Sequence, residues 1–464
     1  MNRRDFMKVA GLGACAGVLG GVCGFAQAGE RGPNVLLVVV DDLGRQDLGC
    51  YGNRHIDTPV MDRLAGEGVR FTNAYSACPV CSPTRAALLT GKSTARVHFT
   101  GHITAIGRHR HPEDSAIIPP DDLMYLPHYE ITLAEALKPA GYVSASIGKW
   151  HVGHEGYWPT DQGFDVNVAG WTHGSPPSYW DPYTADQDWN PSIPTMKPRK
   201  EGEYLTDRLT DEAIAFMRAY RGEPFLCYLP HYAVHTPLQA PKDLVEKYKA
   251  RGIEPVDPVY AAMVERVDQQ LGRMLEAMED MGLARNTVVI VASDNGGLQK
   301  VTDNRPYRAG KGHLYEGGVR VPLIVRWPGR VKAGTVNETP TISQDLYATV
   351  VEIAGPQARP GKPLDGRSLV GEMTGNGRLE PRDLHWYYPH YSPQAKQPGA
   401  AMRSGDWKLI EFYDPARVEL YNLKDDIGET TDLAKDRPEM VKDLLNRLHT
   451  WLRDSGAIMH TPNK

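Results

Sequence analysis

At 464 residues the chain is long enough for one large domain plus a smaller one, with ample core. A hydrophobic fraction of 41% and a charged fraction of 23% exclude the disordered, fibrous and multispanning classes. A formal net charge of -5 argues against a general nucleic-acid binder, so an anionic substrate requires positive charge focused inside its pocket.

The chain begins with a targeting pattern. Arg3-Arg4-Asp5-Phe6-Met7-Lys8 reads as a twin-arginine motif, followed by a Gly/Ala-rich apolar run and the small-x-small triplet Ala26-Gln27-Ala28. Residues 1–28 are therefore expected to be a signal peptide for export to the periplasm or beyond. Lipidation at Cys15 is the alternative. The glycine-interrupted run makes a poor spanning helix and no later stretch is apolar enough, so no stable membrane insertion is expected. Cys50, Cys78, Cys81 and Cys227 remain after the leader, too few for a disulfide scaffold. Cys78 and Cys81 have the spacing of a zinc or redox pair, but a single pair does not make a zinc finger.

From residue 33 apolar strands alternate with amphipathic helices. The continuous run Val35–Val40 predicts a strand buried on both faces. Thr58-Pro59 predicts a helix start, as N-cap and first-turn proline, with Gly66 and Gly68 closing the helix. Further helix–strand units run from Leu133–Leu137 into Tyr142–Ile147, and from 211–220 into Pro224–Leu229. In the last unit Tyr260, Met263, Val264, Val267, Leu271, Met274, Leu275 and Met278 recur at helical spacing before Asn286–Val291; that stripe reads as core packing. Segments 98–128 and 168–203 read as long surface loops. After Gly355-Pro356 the alternation fades into short strands, Trp407–Ile410 and Val418–Tyr421, and a helix over 438–454. The expected fold is α/β: a large, mostly parallel sheet sandwiched by helices over 33–375, with a small antiparallel-sheet-plus-helix subdomain over 376–464.

In such sheets ligands bind beyond the carboxyl ends of the strands. The residues just past the four strand ends are Asp41-Asp42, Gly148-Lys149-Trp150-His151, His231 with His235, and Asp294-Asn295-Gly296. A strand-terminal Asp often only caps a helix, but that account must be repeated at every strand. Asp41, Asp42, Asp294 and Asn295 offer oxygen ligands alone, which favours Ca2+ over Mg2+ and disfavours zinc.

The most specific segment is Cys81-Ser82-Pro83-Thr84-Arg85, continuing Ala86-Ala87-Leu88-Leu89-Thr90-Gly91. It resembles the signature of the type I sulfatases, members of the alkaline phosphatase superfamily. Blocks in the same order extend the resemblance from about residue 33 to 433, among them His235-Thr236-Pro237, Gly310-Lys311-Gly312 and Glu316–Pro322. Thr84 departs from the usual serine. The resemblance implies an alkaline phosphatase-like fold and a sulfuric ester hydrolase whose Cys81 is oxidised to 3-oxoalanine (formylglycine) by a formylglycine-generating or radical maturase. A hydrated aldehyde carries two hydroxyls on one carbon: one attacks sulfur, and loss of the other's proton re-forms the aldehyde and expels sulfate. The resemblance also implies a single Ca2+ held by Asp41, Asp42, residue 81, Asp294 and Asn295. His151 is then the base, His235 and Lys311 serve the leaving oxygen and bind sulfate, Lys149 neutralises the sulfate, and Arg85 supports the nucleophile and metal ligands.

Substrate groups are read from the loops. His98, His102, Arg108, His109, Arg110 and His111 suit an anionic glycan. Trp171, His173, Tyr179 and Trp180 suit stacking on sugar rings. Trp386, Tyr387, His390 and Tyr391 bring the terminal subdomain to the same pocket. Of these, His102, Trp171, His173 and His390 are the candidate substrate contacts, and the expected substrate is a sulfated small molecule or glycan. The rival readings are a phosphate or phosphonate ester hydrolase of the same superfamily, and a non-catalytic sulfated-glycan binder in which Cys81 stays a thiol.

Overall fold

The computed structural model describes residues 32–104, 111–185, 190 and 192–463. The twin-arginine leader with Cys15 and its cleavage point, and Arg108, His109 and Arg110, lie outside the described residues.

The first apolar run forms β1 (Asn34–Val40), every residue of it buried. Its side chains enter two cores alternately: Leu36, Val38 and Val40 on one face, Val35, Leu37 and Val39 on the other. Burial on both faces is why the strand reads as an unbroken apolar run. In chain order follow α1 (Pro59–Glu67), β2 (Val69–Phe71), α2 (Cys81–Thr90), β3 (Val143–Ile147), β4 (Val166–Val168) and α3 (Leu205–Ala219). Then come β5 (Phe225–His231), α4 (Pro258–Asp280), β6 (Thr287–Ser293), β7 (Leu323–Arg326), β8 (Thr335–Asn337) and α5 (Gln344–Ala354). The eight strands form one sheet in the order β8-β2-β7-β6-β1-β5-β3-β4. β1 lies inside it, parallel to β5 and β6, so the residues after all three emerge at one edge. Only β7 runs antiparallel to its neighbours β6 and β2, so the sheet is mixed but mostly parallel.

Helix α1 starts at Pro59 as its sequence predicts, but its cap is tertiary. The Thr58 hydroxyl turns to the Asp62 carboxylate (3.2 Å), and the amides of Val60 and Met61 donate instead to Asp268 of α4, at 3.0 and 2.7 Å. The Met-rich stripe of α4 is core: Met263, Met274 and Met278 are fully buried.

The terminal unit is an antiparallel sheet of β9 (Leu384–Tyr388), β10 (Gly399–Ser404), β11 (Trp407–Tyr413) and β12 (Ala416–Asn422). Helix α6 (Pro438–Asp454) covers it with Leu444, Leu448 and Leu452. Strand β9 corrects the sequence reading of its aromatics. Trp386 and Tyr387 are buried core residues, and the Trp386 indole N–H donates to the Ser76 carbonyl (2.7 Å) with its ring edge-on to Tyr75.

A buried charge cluster joins this unit to the larger sheet. Lys408 of β11 donates to Glu316 and forms an ion pair with Glu429, each at 2.9 Å, with all three side chains fully buried. Arg320 and Tyr75 complete the Glu316 carboxylate, at 3.1 and 2.8 Å. Burial, with the charge of Glu316 adding to it, raises the Glu429 carboxyl above the ordinary range. A raised carboxyl binds its proton more tightly in the folded chain. Its contribution is therefore present below the ordinary glutamate pKa of about 4.3 and declines as pH rises through the higher folded value. Lys408→Met leaves two carboxylates facing each other and is expected to cost about 3 kcal/mol. Denaturant unfolding is expected to show a larger loss at pH 8 than at pH 5; an equal loss at both would refute this account.

Candidate active site

The edge beyond β1, β5, β3 and β6 gathers the charged side chains. The chain leaving β1 is tied to the chain leaving β5: the Asp41 amide donates to the Ala233 carbonyl (2.9 Å) and the Val234 amide to the Asp41 carbonyl (2.7 Å). Asp42 at that turn and His151 after β3 both take left-handed backbone, with φ of 59° and 57°. Such conformations are costly for residues other than glycine and cluster at functional sites. Gly148 has φ 126°, and a Cβ there would lie 2.0 Å from the Pro230 carbonyl oxygen, so only glycine permits the Lys149 amide to reach that carbonyl at 2.7 Å.

Asp41, Asp42 and Asp294 each bring an oxygen within 4.8 Å of the others, all buried. Their partners are cationic. Lys149 donates to Asp41 (2.6 Å), Lys311 to Asp42 (2.8 Å), and Arg85 to Asp294 through Nε (2.8 Å), with Nη2 in ion-pair contact with the same carboxylate (2.7 Å). The Arg85 Nη1 also donates to the Lys149 carbonyl (2.9 Å), so one guanidinium braces two walls. Asn295 Nδ2 donates to Asp42 (2.8 Å), which turns its Oδ1 away; that oxygen and Asp41 Oδ1 are buried without a hydrogen-bond partner among the described residues. Two orphaned oxygens beside three carboxylates make the donor set of a hard divalent cation. Burial and the charge of Asp294 push the Asp41 carboxyl well up. Burial also pushes on Asp42, but Lys311, His235 and Lys149 more than reverse it and hold Asp42 below the usual carboxylate range.

Cys81 is the first residue of α2, a fully buried helix. The segment before it is held by Thr84, whose hydroxyl accepts from the Cys78 amide (3.0 Å) and lies 2.9 and 3.1 Å from the Cys78 and Val80 carbonyls. The Cys81 sulfur lies 3.4 Å from His151 Nδ1. His151 Nε2 lies 3.3 Å from the Ile103 carbonyl, which can only accept, so Nε2 carries the proton and Nδ1 turns its lone pair to residue 81. Burial, followed by the nearby Lys149 and His102, pushes the His151 imidazole well down, towards its neutral form. His235 Nδ1 donates to the Thr236 carbonyl (2.8 Å) and leaves Nε2 facing Asp42 at 3.8 Å. Burial and Lys311 push His235 down to about 3.

Above these groups lies a cavity of about 230 Å3, with Cys81, His151, His235 and Lys311 in its lining. Of the candidate substrate contacts, His102 and His173 line it. Trp171 and His390 do not: Trp171 is 6% exposed and packs edge-on against His173 at 4.3 Å, and His390 is 1% exposed with Nε2 on the Thr100 hydroxyl at 2.8 Å. Both rings are drawn into buried packing. His231 is likewise buried and absent from the lining. Gly174, Ser175 and Gln394 line the cavity without having been singled out in the sequence. Gly174 and Ser175 fall in the loop 168–203 that reads as surface loop, while nothing in the sequence singles out Gln394.

Known proteins resemble this chain over most of its length. The family model described as Sulfatase matches residues 33–356, and that of the N-sulphoglucosamine sulphohydrolase C-terminal region matches 309–456. A sulfatase of Formosa agariphila is 33% identical, over 92% of this chain and 89% of its own. The human N-acetylgalactosamine-6-sulfatase is 36% identical, over 78% of this chain and 69% of its own. Among solved structures, Ps i-CgsB in complex with k-i-k-neocarrahexaose superposes with a TM-score of 0.75 at 29% identity, covering 92% of this chain and 94% of that one.

Proposed function

The chain belongs to the sulfatase family and is a sulfuric ester hydrolase, and from that premise we propose that it removes sulfate from a sulfated carbohydrate, using formylglycine made from Cys81 and one Ca2+ ion. The observation that carries this reading is the pairing of a three-carboxylate cluster holding orphaned oxygens with a Cys81 sulfur 3.4 Å from a histidine lone pair. Asp41, Asp42, Asp294 and Asn295 would hold the ion together with the oxygen that replaces the Cys81 sulfur. When bound, the ion and the aldehyde hydrate supply a hydroxyl that is nucleophilic near neutral pH.

The chain's own side chains do the rest. His151 Nδ1 takes a proton from the group at position 81. Lys311, in the cavity lining, offers N–H to the leaving alcohol oxygen, and neutral His235 lines the same wall. Lys149 and Lys311 offset the sulfate charge in a site where water is scarce, so their charge counts for more than on the surface. Arg85 holds Asp294 and the Lys149 backbone in register. The relatives' sulfated-sugar substrates support the choice of carbohydrate. Export through the twin-arginine leader belongs to the same proposal; no helix among the described residues is long and apolar enough to cross a membrane.

Peptide mass spectrometry of the Cys81 segment, from a host that has the maturation enzyme, is expected to show the aldehyde. A thiol in protein that turns over sulfate esters would sink the formylglycine assignment. Calcium titration followed by thermal unfolding is expected to raise Tm in the parent and not in Asp294→Ala; no rise in the parent removes the metal assignment.

Gly174 is a further point of leverage. A Cβ there would lie 2.3 Å from His151 Cε1 and 2.5 Å from Nδ1. Gly174→Ala is expected to displace the imidazole and lower kcat on an aryl sulfate about 100-fold, the size of effect that ~1 Å misplacement produces. Unchanged kcat would show that the ring has room to move.

A further inference from the structure

Resting on the sulfatase reading, we infer that Gln394 determines substrate specificity: its amide, carried across from the terminal subdomain, hydrogen-bonds hydroxyls of the sugar ring whose sulfate lies over residue 81.

The segment between β9 and β10 passes over the cavity and is pinned at both ends of its path. On one side, His390 Nε2 meets the Thr100 hydroxyl at 2.8 Å, and Asp122 accepts from the Thr100 and Gly101 amides at 2.7 and 2.6 Å. Those residues lead directly into the wall that carries His102. On the other side, Gly312 lies against the segment, next to the sulfate-site Lys311: a Cβ on it would fall 2.8 Å from Ser392 Oγ and 2.9 Å from Gln394 Cβ. The Gly312 amide donates in turn to the Pro79 carbonyl (2.8 Å), just ahead of residue 81. Ser392 closes the turn by accepting from the Ala395 amide through Oγ (2.8 Å) and from the Lys396 amide through its carbonyl (3.1 Å). His390 is thus a positioning residue, and Gln394 is the hydrogen-bonding side chain that the bridge presents to the cavity, beside the apolar Pro393.

The chemistry of the wall selects the alcohol. Outside the sulfate-binding groups, the described lining offers His102, His173, Ser175 and Gln394 as hydrogen-bonding side chains, with no carboxylate and no lysine or arginine facing them. Among the described residues its apolar part is Val80, Ile103 and Pro393, so polar groups dominate the wall. A glutamine amide has two donors and an acceptor, which match neighbouring ring hydroxyls. The cavity volume of about 230 Å3 suits a single sugar ring.

The test compares kcat/KM on galactose 6-sulfate, 4-nitrophenyl sulfate and a sterol sulfate for the parent, Gln394→Ala and Gln394→Leu. The leucine keeps the volume and removes both hydrogen-bonding groups. The ratio of sugar-sulfate to aryl-sulfate kcat/KM is expected to fall about tenfold in both variants, as for the loss of a substrate hydrogen bond. The parent is expected to prefer the sugar sulfate to the sterol sulfate. A ratio unmoved in both variants, or a parent preference for the sterol sulfate, overturns the inference while leaving the hydrolase intact. A parent that cleaves none of the three esters would overturn the sulfatase reading itself.

Discussion

Cys81→Ser is expected to reduce steady-state hydrolysis of sulfate esters by ~1,000-fold or more, the scale on which loss of a nucleophile acts. Serine fits the position: residue 81 begins a buried helix, and Thr84 holds the preceding loop through its own hydroxyl, independently of the sulfur. The thermal midpoint should therefore stay within about 2 °C of the parent, because a change near 1 kcal/mol moves Tm little in a chain of this size. On the formylglycine proposal, the loss arises because serine would offer one hydroxyl where a hydrated aldehyde offers two. A serine that accepts the sulfuryl group has no second proton for His151 to remove, so sulfate is not expelled. The expected signature is a burst of one equivalent of alcohol followed by a stall, with sulfate retained on the peptide containing residue 81. Sustained turnover within about tenfold of the parent would contradict a two-hydroxyl nucleophile.

Arg85→Ala should give the largest loss of stability among single changes at the site. The guanidinium is fully buried, as is Asp294. Its charge is fully ionised: burial works against it, but Asp294 and its other neighbours raise the group above its ordinary value. Removing it leaves Asp294 buried beside Asp41 and Asp42 without its counter-charge, which costs about 3–5 kcal/mol. It also frees the Lys149 carbonyl, so the lysine on the opposite wall loses its brace. We expect Tm to fall by roughly 4 °C and kcat to fall at least ~100-fold. Arg85→Lys keeps a charge but lacks the fork that reaches Asp294 and the Lys149 carbonyl together, so it should recover only part of either quantity. Calcium should restore more Tm to Arg85→Ala than it adds to the parent, because the ion takes over the unpaired carboxylate. Equal calcium effects in both proteins would mean that Arg85 acts only as a packing group.

Legibility followed the physics of each element. Strand β1 was readable because both of its faces are buried, so no polar residue interrupts the run. Helix α4 was readable because one stripe of it faces the core over 23 residues. Strand β4 was missed because three half-buried residues leave no period to detect. Strand β9 was missed for the opposite reason: Leu384-His385-Trp386-Tyr387-Tyr388 is so aromatic that it resembles a sugar platform, yet most of it packs inward on Tyr75 and the terminal sheet. The cap of α1 escaped because Asp268 lies more than two hundred positions away.

Residue chemistry alone determined the donor types: carboxylates and an amide of the kind that could hold a hard cation, a cysteine at a helix start, and lysines and histidines after strands of a parallel sheet. Those come from side-chain identity and from the rule that such strands deliver their successors to one edge. Only the tertiary structure decided which rings face the cavity, because Trp171 packs on His173 and His390 on Thr100, both buried, while His102 and His173 remain in the lining. It alone decided that Gln394 crosses from the terminal subdomain and that Gly174 leaves room for the His151 ring. The physical reason is distance: contacts between segments hundreds of residues apart are set by how the two sheets pack, and no local period or propensity encodes that.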